Sequence, residues 1–123
     1  MTATQTNEKY LINAQDGTNN IERATISYIL AMSSSKTCET VLFVSAEAAA
    51  LCIKGGVEGL VSEGLESLAD LQAAFLQNGG KIWLCRACAV AKGITAADLI
   101  EGVEIAGAPD SMAFLASGAK LLA

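Results

Sequence analysis

The chain has 123 residues, of which 52% are hydrophobic and 17% charged, with a net charge of −5 at pH 7 and a mean hydropathy of +0.41. That length builds one domain with a real core and leaves no room for two. The eight Lys and Arg are scattered along the chain, so the clustered positive charge that displaces counterions from phosphates is missing and no nucleic-acid partner is expected.

Residues 1–7 are polar and expected to fray, leaving a single domain over residues 8–123. Lys9-Tyr-Leu-Ile-Asn13 predicts the first strand, and Gln15-Asp-Gly-Thr18 a turn after it. Asn19 or Asn20 is placed to cap a helix whose apolar stripe runs through Ile21, Ala24, Tyr28, Ile29 and Met32. The continuous run Glu39-Thr-Val-Leu-Phe-Val44 reads as a strand buried on both faces. A short helix over Ala46 to Ile53 follows. Lys54 to Gly64, with four glycines in eleven residues, reads as a mobile loop. Leu65 to Gln77 predicts an amphipathic helix buried through Leu68, Leu71, Phe75 and Leu76 and stopped by Asn78-Gly-Gly80.

A third strand, Ile82 to Leu84, runs directly into a helical segment at Arg86, which Lys92-Gly93 ends. Thr95-Ala-Ala-Asp98 is a capping-box variant, Val103 to Ile105 a fourth strand, and Ala108-Pro109 the start of a helix through Ala116. A short final strand lies within Gly118 to Leu122. Strands alternating with helices predict an α/β fold with a mostly parallel sheet covered on both faces.

No apolar run approaches the roughly 18 residues that cross a bilayer, and the opening residues have neither the basic nor the apolar region of a signal peptide. The expectation is a cytoplasmic protein with no membrane contact, its excess apolar surface buried between copies in a homo-oligomer. Four cysteines in such a chain point to reduced thiols. There is no histidine, which removes Cys–His and Ser–His–Asp catalysis. Only Cys85 and Cys88 have ligand-like spacing, so no metal and no other cofactor is expected.

Cys85 stands where a strand's carboxyl end meets a helix's amino end, a junction whose free N–H groups favour a thiolate. Arg86 adds a fixed positive charge, and Cys88 brings a second sulfur within one helical turn. The plain alternative for each is a packed structural thiol, which is the reading for Cys38 and Cys52. In parallel sheets, ligands gather outside the carboxyl ends of the strands. That edge collects Asp16 and Gly17 after the first strand, Glu47 after the second and Cys85 after the third, with Gly55 and Gly56 in the loop placed to cover them. Cys85-x-x-Cys88 also admits a dithiol oxidoreductase, although its position two-thirds along the chain and the absence of proline between the cysteines depart from the thioredoxin pattern.

The chain resembles the DsrE/DsrF-like (YchN-like) family of small sulfur-relay proteins. The resemblance is carried by Lys9-Tyr-Leu-Ile-Asn-Ala14, Ala24-Thr25, Val41-Leu-Phe-Val44 and Lys54-Gly-Gly56. It is most specific in Leu84-Cys85-x-x-Cys88-Ala-x-Ala-Lys-Gly-Ile94, and extends through Asp98-Leu99-Ile-x-Gly102 and Glu104-Ile-Ala-Gly107. It implies a three-layer α/β/α sandwich around a five-stranded sheet, and assembly as a trimer or hexamer, less often a dimer. It also implies a sulfur carrier or sulfurtransferase that holds a persulfide or thiosulfonate on Cys85 and exchanges it with donor and acceptor proteins or small sulfur compounds. Cys85 matches the position after the third strand where TusD-like chains keep one cysteine, and Cys88 falls where those chains have alanine. Family members without a cysteine at this position leave a non-catalytic oligomeric binding subunit as the alternative.

Overall fold

The β-branched and aromatic runs of the sequence become the strands of one sheet. In the computed structural model, which describes residues 7–122, these are β1 (Lys9–Ala14), β2 (Glu39–Val44), β3 (Lys81–Cys85), β4 (Val103–Ala106) and β5 (Lys120–Leu122). Their order is β4-β3-β2-β1-β5, and every pairing is parallel. The fraying expected over residues 1–7 falls, Asn7 apart, outside the described residues.

The helices are α1 (Ile21–Ser35), α2 (Leu68–Gln77), α3 (Arg86–Ala91) and α4 (Ala108–Ala116), with 3-10 turns at Ala46–Cys52 and Ala96–Asp98. From β1 to β4 the chain advances steadily across the sheet, and right-handed crossovers put α1, α2 and α3 on one face. The step from β4 to β5 reverses direction, so the same handedness carries α4 to the opposite face. The result is the three-layer α/β/α sandwich.

Register shows which side chains meet the helices. Ile12, Leu42 and Ile82 align across three strands, as do Ala14, Val44 and Leu84, and all six are buried. They form one core with Tyr28, Leu51, Leu68, Leu71, Phe75 and Ala89. Gln72 crosses this core, donating from Nε2 to the Tyr28 hydroxyl at 3.2 Å and to the Leu51 carbonyl at 2.9 Å. Burial raises the Tyr28 phenol well above its ordinary value. Among the described residues, α4 is the one helix on the opposite face. There Trp83 meets Phe114 edge-on with ring centroids 5.8 Å apart, and both rings stay half-buried.

Local chemistry explains where expectation and structure differ. α2 starts at Leu68 rather than Leu65 because the Ser67 hydroxyl accepts the Asp70 N–H at 3.2 Å, while Leu65 closes a turn on Ser62. The alanine-rich segment after β2 is a 3-10 turn rather than an α-helix. The glycine-rich loop is tied down at its start: Lys54 N–H donates to the Asp98 carbonyl, Ile100 N–H to the Cys52 carbonyl, and Ile53 bridges Leu99. Asn20 caps α1, Thr95 and Asp98 form their capping box, and Asp110 accepts the Gly107 N–H at 2.8 Å. Among the described residues no helix is long and apolar enough to cross a membrane.

Candidate functional site at the carboxyl edge of the sheet

Strands β3 and β4 are neighbours whose exits diverge, since α3 leaves to one face and α4 to the other. Such a divergence opens a crevice between the two carboxyl ends, the usual place for a ligand in a parallel sheet. Cys85 is the last residue of β3 and pairs with Ala106, the last residue of β4. Alternation along β3 puts Cys85 on the face of Trp83, the side covered by α4. Its thiol is free and half-buried, at the N-cap of α3, and makes no cap hydrogen bond with that helix.

Arg86 begins α3 and its guanidinium reaches back over the crevice. Its Nη1 lies so near Gly107 that a Cβ on that glycine would sit 2.8 Å away. Gly107 follows Ala106 directly, so the cation lies over the β4 side of the same opening. A side chain at Gly107 would displace it.

Cys88, at the third position of α3, has a different environment. Its Sγ accepts the backbone N–H of Ala46 at 3.3 Å. Ala46 has φ of +52°, the only non-glycine residue with positive φ among the described residues, a conformation that costs an L-residue about 1–2 kcal/mol. The N–H that it directs at the sulfur comes from the loop after β2, so this contact joins the second and third strand ends.

The other predicted residues divide into two groups. Gly17 is buried against the carbonyl group of Glu47, so the first and second loops touch through backbone. Glu47 takes part through that carbonyl, while its exposed carboxylate lies 3.9 Å from Lys92 Nζ at the end of α3. Asp16 is engaged within its own turn, accepting from Arg23 Nε and Asn19 Nδ2, each at 3.0 Å. Gly17, Glu47, Cys85, Arg86 and Cys88 thus belong to one continuous edge. Gly55 and Gly56 lie elsewhere: Gly56 packs on the Ala50 and Ile53 carbonyls, at the opposite end of the 3-10 turn from Ala46, and Gly55 lies near Glu58.

Cys52 is sealed in the core, where burial pushes its thiol up to about 12. Cys38 lies before β2, at the opposite, amino end of the sheet, with its sulfur 3.5 Å from the Thr37 hydroxyl. Among the described residues no three Cys, Asp or Glu side chains converge as metal ligands would. Sequence reasoning missed Ala46, because its contribution is a backbone N–H that any residue type supplies. Gly107 was open to notice, as the residue between a predicted strand and an Ala-Pro helix start.

Similarity to known proteins follows the same architecture. The fold superimposes on the ychN protein from E. coli with a TM-score of 0.70 at 21% identity, covering 93% of this chain and 96% of that one. It matches MTH1491 from Methanobacterium thermoautotrophicum, a protein of unknown function, with a TM-score of 0.65 at 13% identity over 95% of this chain and 98% of that one. The uncharacterized protein MJ0760 of Methanocaldococcus jannaschii is 33% identical over 113 residues, or 91% of this chain. The chain spans 41% of that relative's length. The sequence model of the DsrE/DsrF-like family matches residues 8–123, and the chain belongs to that family.

Proposed function

We propose that this protein is a sulfur carrier that holds sulfane sulfur on Cys85. Family membership supports a role related to sulfur relay, and the observation that carries the assignment to this residue is the place of Cys85 in the β3–β4 crevice. It is a free, half-buried thiol at a strand end, with a guanidinium over the opposite wall. The Cys85 thiolate attacks the terminal sulfur of a donor persulfide, forming Cys85–S–S⁻ and releasing the donor thiolate. An acceptor thiolate then attacks that outer sulfur, takes it as its own persulfide, and returns Cys85 as a thiolate. Sulfur and charge balance in both steps, and no external oxidant or reductant enters. A thiosulfonate on Cys85 is the corresponding oxidised cargo.

Donor and acceptor are proteins or small sulfur compounds, met in a reducing cytoplasm where thiols persist. Copies of the chain assemble with one another, a reading supported by the exposed Ile26, Leu30, Leu121 and Leu122. A dithiol oxidoreductase has less support, because a Cys85–Cys88 disulfide would weaken the Ala46 N–H contact that engages Cys88. The test is intact mass after exposure to a persulfide donor or tetrathionate. Wild type is expected to gain donor sulfur, Cys38→Ser to gain it equally, and Cys85→Ser to gain none. An unchanged wild-type mass, or an adduct that survives in Cys85→Ser, overturns the proposal.

A further inference from the structure

Two other basic side chains border the carboxyl edge of the sheet, and each faces a carboxylate. Arg23 lies 3.0 Å from Asp16, and Lys92 lies 3.9 Å from Glu47. Arg86 makes no ion pair among the described residues. The acids near it are placed otherwise. Asp110 turns its carboxylate to the Gly107 N–H at 2.8 Å, and Glu104 is exposed one strand pair back from the edge, opposite Trp83.

An arginine at a surface ordinarily keeps its charged head out in water. This one folds back on a buried glycine: a Cβ at Gly107 would lie 2.8 Å from its Nη1 and 3.8 Å from its Cζ. Gly107 follows Ala106, and Ala106 pairs with Cys85 across the β3–β4 ladder. The cation and the thiol therefore flank one opening. Gly107 has φ of −105° and ψ of 177°, an extended backbone open to any residue type. Its conformation does not call for glycine. The missing side chain instead makes room for the guanidinium and for Pro109, whose Cδ would lie 3.3 Å from that Cβ.

We infer that Arg86, seated on Gly107, is the specificity-determining residue of the crevice, and that it selects sulfur compounds carrying an oxyanion. The guanidinium fork offers two parallel N–H donors to a sulfonate or carboxylate, whereas a bare persulfide presents a single sulfur anion. The chain has a net charge of −5, so a doubly charged donor approaches against the overall field and benefits most from a local cation. Tetrathionate makes the step concrete. The Cys85 thiolate attacks one central sulfur, the central S–S bond breaks, and thiosulfate leaves with the electron pair. Cys85 is oxidised to Cys85–S–S–SO₃⁻, with tetrathionate as the oxidant. The sulfur chemistry rests on the carrier reading above. The preference for anions does not.

The experiment follows, by peptide mass at low salt, the rates at which Cys85 reacts with iodoacetate, iodoacetamide and tetrathionate. The first two share a leaving group and differ in charge, so their ratio reads anion preference apart from thiolate reactivity. In Arg86→Gln the iodoacetate and tetrathionate rates, each relative to iodoacetamide, fall by about fivefold, the scale of one exposed ion pair. Gly107→Ala keeps the cation but unseats it, and both ratios fall by about twofold. Lys36→Gln removes the same charge between α1 and β2, at the amino end of the sheet, and leaves both ratios at their wild-type values. Unchanged ratios in Arg86→Gln or in Gly107→Ala, or an equal fall in Lys36→Gln, overturn the inference. If wild type takes no sulfur from tetrathionate, the carrier function falls and the iodoacetate ratio still decides the role of Arg86.

Discussion

Replacing Gly17 with alanine tests whether the carboxyl edge is a single mechanical unit. A Cβ there would collide with the Glu47 carbonyl oxygen and lie 3.0 Å from its carbon. Both partners are backbone, so no rotamer change relieves the clash, and the β1–α1 loop and the 3-10 turn have to separate. Overpacking of this kind costs about 1–3 kcal/mol. A domain of this length has roughly 6–18 kcal/mol of stability, so the fold survives. With a urea slope of about 1–3 kcal/mol/M, the unfolding midpoint falls by roughly 0.3–3 M. The site suffers more than the fold. Ala46 directly precedes Glu47, and its N–H reaches Cys88 Sγ at 3.3 Å, a contact that a shift of about 1 Å abolishes. The expected result is a folded variant with a lowered midpoint and slower alkylation of Cys88, whose sulfur has lost its N–H donor, followed by peptide mass. An unchanged midpoint together with unchanged Cys88 reactivity would refute the claim that the two loops are coupled through this contact.

Two further outcomes follow from the core. Gln72→Leu removes the donor shared by Tyr28 and Leu51, and each orphaned group costs about 1–3 kcal/mol; adding Tyr28→Phe should recover part of the loss in a double-mutant cycle of urea midpoints, and an additive pair would sink the reasoning. The folded state keeps the Cys52 proton up to about 12 against an ordinary 9.0, so this thiol's contribution to stability is complete below pH 9.0 and is lost as pH rises toward 12. Each pH unit crossed in that window removes about 1.4 kcal/mol. Urea midpoints measured upward from about pH 8 should fall above pH 9.0, and less steeply in Cys52→Ala; a flat profile contradicts the burial argument.

What the sequence disclosed was local. Alternating apolar runs marked the strands, Asn20 and Thr95 announced their caps, and the step from Leu84 through Cys85 to Arg86 marked a strand meeting a helix. Each signal lies within a few residues of the feature that it predicts. Strand order is a long-range property, and no periodicity encodes that β5 returns beside β1. The divergence of α3 and α4, which makes the crevice, was therefore invisible, although the cysteine at its edge was not. Side-chain chemistry also misdirected one reading. Glu47 looks like a site carboxylate, yet the structure uses its carbonyl against Gly17. Gly55 and Gly56 suggested a cover for the site because glycine density signals freedom, while the ties from Lys54 and Ile100 fix that segment beside Asp98.

The two cysteines of the Cys-x-x-Cys run are one helical turn apart but are not equivalent. Cys88 is engaged by an N–H whose carrier pays a conformational penalty to hold it there. The Cys85 thiol makes no cap hydrogen bond to α3 and lies where the connections leave for the two faces of the sheet. A reversible dithiol needs both sulfurs free to meet, whereas a carrier needs one sulfur open to visiting thiols. The unequal placement favours the second arrangement. It also gives Cys88 a different use: its bond to Ala46 ties α3, the helix that Cys85 precedes, to the loop after β2.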